Sequence, residues 1–175
     1  MFTKPEKNIL HLGLKEGMRV ADFGAGTGFY SRACSMRVGY SGKVYAIEVQ
    51  KDLVKKLESE INDWGISNIE CIWGNIETYN GTKISDHSVN TVIISNVLFQ
   101  AEDRIGVIDE ARRVLKTDGK VLFIEWSDSF KGMGPDFKHI INQSLAKELF
   151  EKRGFKFEES IAISDHHYGI IFRYE

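Results

Sequence analysis

The chain has 175 residues and a formal net charge of −2, from 23 Lys and Arg against 25 Asp and Glu. A chain of this length is expected to form one domain and to bury roughly 70% of the surface that its unfolded form exposes. Its charges are interspersed and nearly balanced, so they provide no general attraction to nucleic acid or to an anionic membrane.

The sequence shows no disulfide framework, targeting signal or membrane span. Cys34 and Cys71 have no His or Cys at metal-ligand spacing, so we interpret both as buried thiols of a reducing compartment. No apolar run approaches the roughly 20 residues that span a bilayer, and Met1–Glu6 contains no apolar signal core. We therefore expect a soluble, cytoplasmic chain without a bound metal.

Strand and helix signals alternate through the first 125 residues. A short helix over 5–13 has Pro5 near its start and Gly13 at its end, as capping preferences favour. The predicted strands are 18–23, 43–48, 68–73, 89–95 and 120–125, and the predicted helices among them are 28–37, 50–64 and 103–115. A turn at Thr117–Gly119 is expected to separate the last helix from its strand. This alternation predicts a parallel sheet with right-handed crossovers.

The pattern changes after Trp126. Residues 127–137 are predicted to form a loop, and 142–153 a helix that ends at Gly154. Two extended runs, 155–163 and 168–174, follow with no helix between them, so they can pair only as an antiparallel hairpin. We predict an α/β fold with a doubly wound, mostly parallel seven-stranded sheet, a C-terminal antiparallel hairpin and helices on both faces.

The most informative stretch is Val20–Ser31, where an apolar strand ends in three glycines at alternate positions. Gly24, Gly26 and Gly28 allow a ligand to touch the backbone and permit the positive φ of a tight turn. The N–H groups that begin the following helix suit a carboxylate or phosphate. A dinucleotide fingerprint would need its third glycine where Phe29 stands, so the turn does not match a nicotinamide-dependent dehydrogenase.

The pattern acidic-x-Gly-x-Gly-x-Gly, from Asp22 to Gly28, resembles motif I of the class I methyltransferases that depend on S-adenosylmethionine (SAM). The resemblance covers roughly residues 15 to 174 and includes the final hairpin, which distinguishes that family from nucleotide-cofactor Rossmann proteins. It implies a Rossmann-like fold, SAM as methyl donor and S-adenosylhomocysteine as product. We expect residues 1–175 to form a single domain of this family, with a short N-terminal helix over 1–14 covering the cofactor site.

The resemblance also implies which residues hold the donor, all of them near the carboxyl ends of strands. Asp22 would lie beneath the methionine end, and Glu48 would accept both ribose hydroxyls, for which paired carboxylate oxygens are suited. Val49 and Ile76 would pack on the two faces of adenine, and Asn75, where the family usually has Asp, would accept from the adenine amino group. The expected cofactor-binding residues are Asp22, Gly24, Ala25, Gly26, Gly28, Glu48, Val49, Asn75, Ile76, Asn96 and Leu98.

The acceptor side is less determined, because transfer of a methyl from a sulfonium chiefly requires donor and nucleophile to be held together. Ser95–Phe99 lacks the Asn/Asp-Pro-Pro-aromatic tetrapeptide of base amino methyltransferases, and no cysteine follows the fourth or fifth strand. Asn96–Gln100 most resembles the small-molecule, quinone and lipid branch of the family. The candidate acceptor-side residues are Phe99, Trp126, Asp128, Asp165, His166, His167 and Tyr168.

Three interpretations of the hairpin turn remain open. His166 or His167 is a candidate general base, oriented by Asp165 or Asp128 with Tyr168 nearby. A metal site is possible, but adjacent histidines on a strand point to opposite faces, so only one could serve with Asp165. The segment could also be a structural turn.

The aromatic residues also allow more than one interpretation. Trp126 and Phe99 could cage a methyl-bearing cation or simply shield the site. Trp64 and Trp73 are predicted to lie in the core.

We therefore expect a SAM-dependent methyltransferase that acts on a small-molecule or lipid-like acceptor. The chain has almost none of the insertions that shape acceptor pockets in this family. Its pocket is therefore expected to be open, or completed by a second copy or a partner chain, or built for an acceptor presented by something larger. One alternative is a methyltransferase of rRNA or tRNA, which the absence of a basic, aromatic rim disfavours. Another is a SAM-binding but catalytically silent partner subunit, which the intact glycines and Glu48 disfavour.

Overall fold

The structure, a computed structural model, describes residues 4–129 and 134–175 and has one seven-stranded sheet between two helical layers. The strands are β1 (Arg19–Phe23), β2 (Lys43–Glu48), β3 (Ile69–Trp73), β4 (Val89–Ser95), β5 (Leu115–Trp126), β6 (Phe155–Ser164) and β7 (His167–Tyr174). The α-helices are α1 (Pro5–Asn8), α2 (Phe29–Val38), α3 (Lys51–Asp63), α4 (Arg104–Val114) and α5 (Gln143–Glu151), and 3₁₀ turns cover Ile9–Leu12 and Phe137–His139.

The strand order is β3-β2-β1-β4-β5-β7-β6. β1 to β5 are parallel to one another, whereas β7 runs antiparallel to both β5 and β6. The predicted seven-stranded, mostly parallel sheet with a C-terminal hairpin is thus confirmed. The chain order reverses between β1 and β4, and in such sheets the ligand crevice lies beyond the carboxyl ends of the strands at that point.

Helices cover both faces of the sheet, as predicted. α2 and α3 pack on one face and α4 and α5 on the other. In α3, Val54, Leu57 and Ile61 are buried at helical spacing, and the lysines between them face solvent. The middle of β4 is apolar on both sides because both of its faces are covered.

The N-terminal segment packs beside the glycine turn. Asn8, the last residue of α1, donates a hydrogen bond from Nδ2 to the Tyr30 hydroxyl at 2.7 Å, in the first turn of α2. Ile9 and Leu12 are buried in the core on that face. Residues 1–3 of the expected N-terminal helix lie outside the described residues, and its covering of the cofactor site stays a prediction.

The fifth strand begins earlier than predicted. Instead of a separate turn at Thr117–Gly119, β5 starts at Leu115, directly after α4, and pairs there with Val89. The irregularity appears as a register shift between β4 and β5, with Asp118 at φ 62°. A bulge therefore absorbs the extra residues that the sequence pattern placed in a turn.

Two further predictions differ from the structure. Trp73 was expected in the core, but it is 52% exposed because β3 is an edge strand of the sheet. Trp64 is only partly buried. The predicted loop after Trp126 contains a 3₁₀ turn at Phe137–His139, and its residues 130–133 lie outside the described residues.

Among the helices of the described residues, none is long and apolar enough to cross a membrane.

Candidate functional site

A cavity of about 370 Å³ lies at the carboxyl ends of β1, β2, β3 and β4. This volume is within the range of small-molecule sites, roughly 300–1,000 Å³. Of the residues expected to bind the cofactor, those that line the cavity are Gly24, Gly26, Glu48, Val49, Asn75, Ile76 and Asn96. Val97 and Gln100, which were not among the expected cofactor ligands, line it as well.

The three glycines of the turn have different roles. All have positive φ, at 73° for Gly24, 53° for Gly26 and 74° for Gly28. A Cβ on Gly24 would lie 2.8 Å from Val97 Cγ2, and one on Gly28 would lie 2.4 Å from Leu57 Cδ1. A Cβ on Gly26 would meet nothing closer than 3.9 Å. Gly24 and Gly28 are thus needed for packing, whereas Gly26 leaves space beside the cavity.

Glu48 is fixed at the end of β2 by two backbone groups. Its Oε2 accepts from the Gly26 N–H at 3.2 Å, and its Oε1 accepts from the Gln50 N–H at 2.9 Å. The side chain lines the cavity although only 7% of the residue is exposed. Each carboxylate oxygen can accept a second hydrogen bond, so both remain able to accept from a diol.

Asp22 lies beneath the turn. It is 3% exposed, and its Oδ2 accepts from the Ser31 hydroxyl of α2 at 2.6 Å. Burial raises the pKa of Asp22 to about 6, opposed by the Ser31 hydrogen bonds and assisted by the charge of Glu48. Asp22 therefore ties β1 to α2 and adds negative charge below the glycine turn.

Asn96 has an unusual environment at the end of β4. It adopts a positive φ of 56°, and its N–H donates to the Ile124 carbonyl at 2.8 Å. Its Oδ1 is buried without a hydrogen-bond partner in the part of the chain that the structure describes. A buried, unsatisfied amide oxygen is costly, and Asn96 lines the cavity, so this atom indicates a ligand with a donor group.

The loop that follows β3 forms one wall of the cavity, and side chains of α4 hold it in place. Asn75 Oδ1 accepts from the Glu77 N–H at 2.9 Å, so this amide is oriented by its own turn. The loop beyond it is fixed by Glu110, which is 1% exposed and accepts from the N–H groups of Asn80 and Thr82 at 2.9 and 3.1 Å. Arg113 donates to both carboxylate oxygens of Glu110. We call this set of contacts the Glu110 clamp. Its one signal in the sequence is the i,i+3 spacing of Glu110 and Arg113.

The remaining expected cofactor residues do not line the cavity. Leu98 is fully buried in the core beneath the segment that follows β4, and Gly28 is also buried. Ala25 is partly buried and donates its N–H to the Ile47 carbonyl. These residues shape the turn and the floor, while Gly26, Glu48 and Asn96 present polar groups.

Glu125, at the end of β5, is a buried carboxyl that sequence reasoning did not select. It is 0% exposed and accepts from the N–H groups of Phe99 at 3.2 Å and Trp126 at 3.1 Å. Burial raises the pKa of Glu125 to about 7, although the Trp126 and Phe99 hydrogen bonds oppose this. Glu125 thus joins the segment that follows β4 to the segment that follows β5.

Two acceptor-side candidates form a close pair. His166 Nδ1 and Asp128 Oδ1 are 2.7 Å apart, and their side chains are 24% and 47% exposed. Asp165, beside His166 in the turn, is exposed. The structure therefore selects Asp128, rather than its sequence neighbour Asp165, as the carboxylate against His166.

The other candidates are engaged in packing. The His167 ring packs against Trp126 with 4.1 Å between ring centroids and 39° between the planes, and burial lowers the pKa of His167. A Cβ on Gly134 would lie 2.9 Å from Trp126 Cε3, so the loop before α5 also packs on this ring. Trp126 is thus engaged by its own neighbours. Tyr168 is buried, its hydroxyl donates to the Ile141 carbonyl, and burial raises its pKa well above the usual range.

A second, more open groove of about 740 Å³ borders the first cavity, sharing Gln100 and Ala101 with it. Phe99, Ile105, Pro135 and Leu149 contribute apolar surface to it, and the rest of its lining is mostly polar or charged: Gln100, Glu102, Asp103, Arg104 and His139. Within residues 4–129 and 134–175, no group of three or more His, Cys, Asp or Glu side chains could hold a metal ion.

Comparison with known proteins connects this geometry to a family. Residues 14–158 match a family model described as a methyltransferase domain. A demethylmenaquinone methyltransferase from Bacillus velezensis is 29% identical over 122 residues, which are 70% of this chain and 51% of that protein. A ubiquinone/menaquinone biosynthesis C-methyltransferase UbiE from Hahella chejuensis is 30% identical over 116 residues, covering 66% of this chain and 45% of that protein. The chain thus spans about half the length of these curated relatives.

A solved structure, described as a SAM dependent methyltransferase from Aquifex aeolicus, superposes with a TM-score of 0.89 at 26% identity, covering 98% of this chain and 90% of that one.

Proposed function

The chain belongs to the methyltransferase domain family, and from that premise we propose that it transfers a methyl group from SAM to a small-molecule acceptor, releasing S-adenosylhomocysteine. The observation that carries the proposal is the meeting of Gly26, Glu48 and Asn96 around one cavity. These residues come from three different strand ends. Their polar groups match a ligand that carries a ribose diol and an ammonium group.

The residues present fit such a donor. Glu48 keeps acceptor capacity on both oxygens for the ribose hydroxyls, and the open side of Gly26 lets a ligand touch the backbone. The unpartnered Oδ1 of Asn96 is an acceptor for the amino group of the methionine part. Ile76 and Val49 offer apolar surface for the adenine.

When bound, SAM supplies an electrophilic methyl group. The chain itself would then chiefly orient the donor and exclude water, because an in-line displacement depends mainly on holding the reacting atoms at attack distance. Glu48 would fix the ribose, and the Asn96–Gln100 segment would set where the methyl emerges. Glu125 holds that segment against Trp126 through the Phe99 N–H.

For the acceptor, we propose a reduced quinone or a related small aromatic molecule. The curated relatives named above act in quinone biosynthesis, and the groove next to the donor cavity offers some apolar surface for an aromatic ring or a lipid-like tail. Because the groove is open, a second copy of this chain or a partner chain would complete the site.

The direct test is a transfer assay with the purified chain, following S-adenosylhomocysteine by mass spectrometry. The acceptors are naphthohydroquinone, phosphatidylethanolamine vesicles, dimethylamine and unmodified tRNA. We expect product with naphthohydroquinone. Transfer to tRNA alone would replace the small-molecule proposal with the nucleic-acid alternative, and no product with any acceptor would favour a silent subunit.

A further inference from the structure

We propose that His166, oriented by Asp128, is the general base of the reaction, so that the acceptor belongs to the class whose nucleophile must lose a proton. This inference rests on the proposed methyltransferase function. It limits the acceptor to molecules whose attacking atom carries a proton, such as phenols and hydroquinones. Thioethers and tertiary amines, which carry no proton on the attacking atom, would not need such a base.

The first support is the geometry of the pair. His166 and Asp128 are far apart in sequence, yet their Nδ1 and Oδ1 atoms lie 2.7 Å apart. The Ser127 N–H donates to the His166 carbonyl at 2.9 Å, so the backbones that carry the two side chains are also tied together. A carboxylate at Nδ1 fixes the orientation of the ring and stabilises the imidazolium that forms when Nε2 takes a proton.

The second support is that Tyr168 and His167, the competing candidates, make other contacts in the structure. Tyr168 directs its hydroxyl to the Ile141 carbonyl inside the core. The Nδ1 atom of His167 lies 3.1 Å from the Ser164 hydroxyl, and the ring packs at a tilt against Trp126. Of the four turn residues selected from the sequence, His166 is the one that the structure places against a carboxylate.

The third support is position relative to the donor cavity. In the sheet, β4 neighbours β5 and β5 neighbours β7, and Trp126 pairs with His167 across the last two strands. Adjacent strands are about 4.8 Å apart, so the turn before β7 is about 10 Å along the carboxyl edge from the end of β4. Asn96, at the end of β4, lines the donor cavity. His166 and Asp128 do not line the cavity, but an acceptor held beside Asn96, between the ends of β4 and β7, would lie within reach of the His166 side chain.

The proposed step balances without a further reactant. His166 Nε2 removes the proton from an acceptor hydroxyl, and an electron pair of the resulting phenolate forms the new bond to the methyl carbon. The bond from that carbon to sulfur breaks, and its electrons remain on sulfur as the neutral thioether of S-adenosylhomocysteine. His166 then releases its proton to water. If a ring carbon is methylated, the same base removes the hydroxyl proton, and the ring loses its C–H proton afterwards.

The test compares His166→Ala and Asp128→Asn with a matched control, His87→Ala. His87 is exposed and lies just before β4, at the end of the strand that is opposite to the cavity. SAM binding is measured first by calorimetry, and we expect all three variants to bind within twofold of the unmodified chain. This step separates the inference from the proposed function, because failure of the unmodified chain to bind SAM would count against the function itself.

Turnover is then measured at saturating SAM with naphthohydroquinone, and with dimethyl sulfide as an acceptor that has no proton to lose. We expect His166→Ala to lower turnover with the hydroquinone about 100-fold and Asp128→Asn about tenfold, as for other general bases. Added imidazole should restore part of the His166→Ala rate, which a merely structural role would not allow. His87→Ala should keep the full rate.

Four outcomes would overturn the inference. They are a His166→Ala rate within twofold of the unmodified chain, a loss that imidazole does not reverse, transfer to dimethyl sulfide alone, and transfer to neither acceptor by a chain that binds SAM.

Discussion

The peptide N–H of Gly26 donates a hydrogen bond to the carboxylate of Glu48 at 3.2 Å, linking the turn after β1 to the end of β2. The contact joins the two sequence features that first indicated a SAM site. It also holds the carboxylate at the cavity while its second oxygen is oriented by Gln50. The donor site is thus organised before a ligand binds, which lowers the cost of ordering it.

Gly28→Ala should destabilise the fold through contact with α3. The new Cβ would lie 2.4 Å from Leu57 Cδ1, and such overpacking typically costs about 1–3 kcal/mol beyond the cost of a positive φ. Gly13→Ala is the matched control, because Gly13 has a similar φ of 63° and nothing within 4 Å of its Cβ position. Urea unfolding of both variants measures the difference, and equal losses of stability would contradict this account.

Gly26→Ala should weaken SAM binding more than it weakens the fold. Its stability loss should match that of Gly13→Ala, because both sites have positive φ without a close contact at the Cβ position. A methyl group at position 26 would occupy space beside the cavity, and we expect about a tenfold rise in the SAM dissociation constant. Calorimetry and urea unfolding check the two parts, and unchanged SAM affinity would remove Gly26 from the donor site.

Glu110→Ala should be destabilising, by about 1–3 kcal/mol, since it removes the acceptor of the Asn80 and Thr82 N–H groups, although Arg113 keeps its ion pair with Asp86. It should also weaken SAM binding, because the loop that Glu110 holds continues from the Asn75 wall of the cavity. Glu148→Ala, which breaks an exposed i,i+4 pair with Lys152, should have no measurable effect on either property. A Glu110→Ala variant as stable as the Glu148→Ala control would show that the clamp is dispensable.

Glu125 should make stability fall as pH rises. Although Glu110 is also buried, hydrogen bonds from Arg113 and Thr82 lower its pKa. For Glu125, burial outweighs the backbone hydrogen bonds and the charge of Arg104, and it raises the pKa from 4.5 to about 7. Between these values the folded state binds more protons than the unfolded state, so this contribution is complete below pH 4.5 and is lost by about pH 7.

Glu125→Gln, which resembles the protonated acid, should remove this dependence. The measurement is urea unfolding of both proteins across that pH range. The stability of the unmodified chain relative to Glu125→Gln should decline as pH rises, and a constant difference would contradict the raised pKa.

The glycine turn could be predicted from local sequence, because a mostly apolar strand leads into it and its glycines adopt a positive φ. Local sequence gave the wrong start for β5, because the pairing of Leu115 with Val89 extends this strand through residues that favour turns. The Glu110 clamp was beyond local reasoning, since Glu110 meets Thr82 across 28 residues. The sequence correctly predicted that the hairpin turn lies at the carboxyl edge of the sheet. It could not show that His166 pairs with Asp128 rather than Asp165, because this depends on the register in which His167 pairs with Trp126.

The proposed SAM site at Glu48 and the glycine turn can be tested by calorimetric titration. The purified chain and its Glu48→Gln variant are each titrated with SAM, S-adenosylhomocysteine and NAD, with Glu58→Gln on the exposed side of α3 as the control. We predict micromolar binding of both sulfur nucleotides and none of NAD. Glu48→Gln should weaken SAM about 10- to 100-fold, because a hydrogen bond to a charged group contributes about 1.5–3 kcal/mol. Failure of the unmodified chain to bind SAM, or equal affinity in Glu48→Gln, would contradict the account.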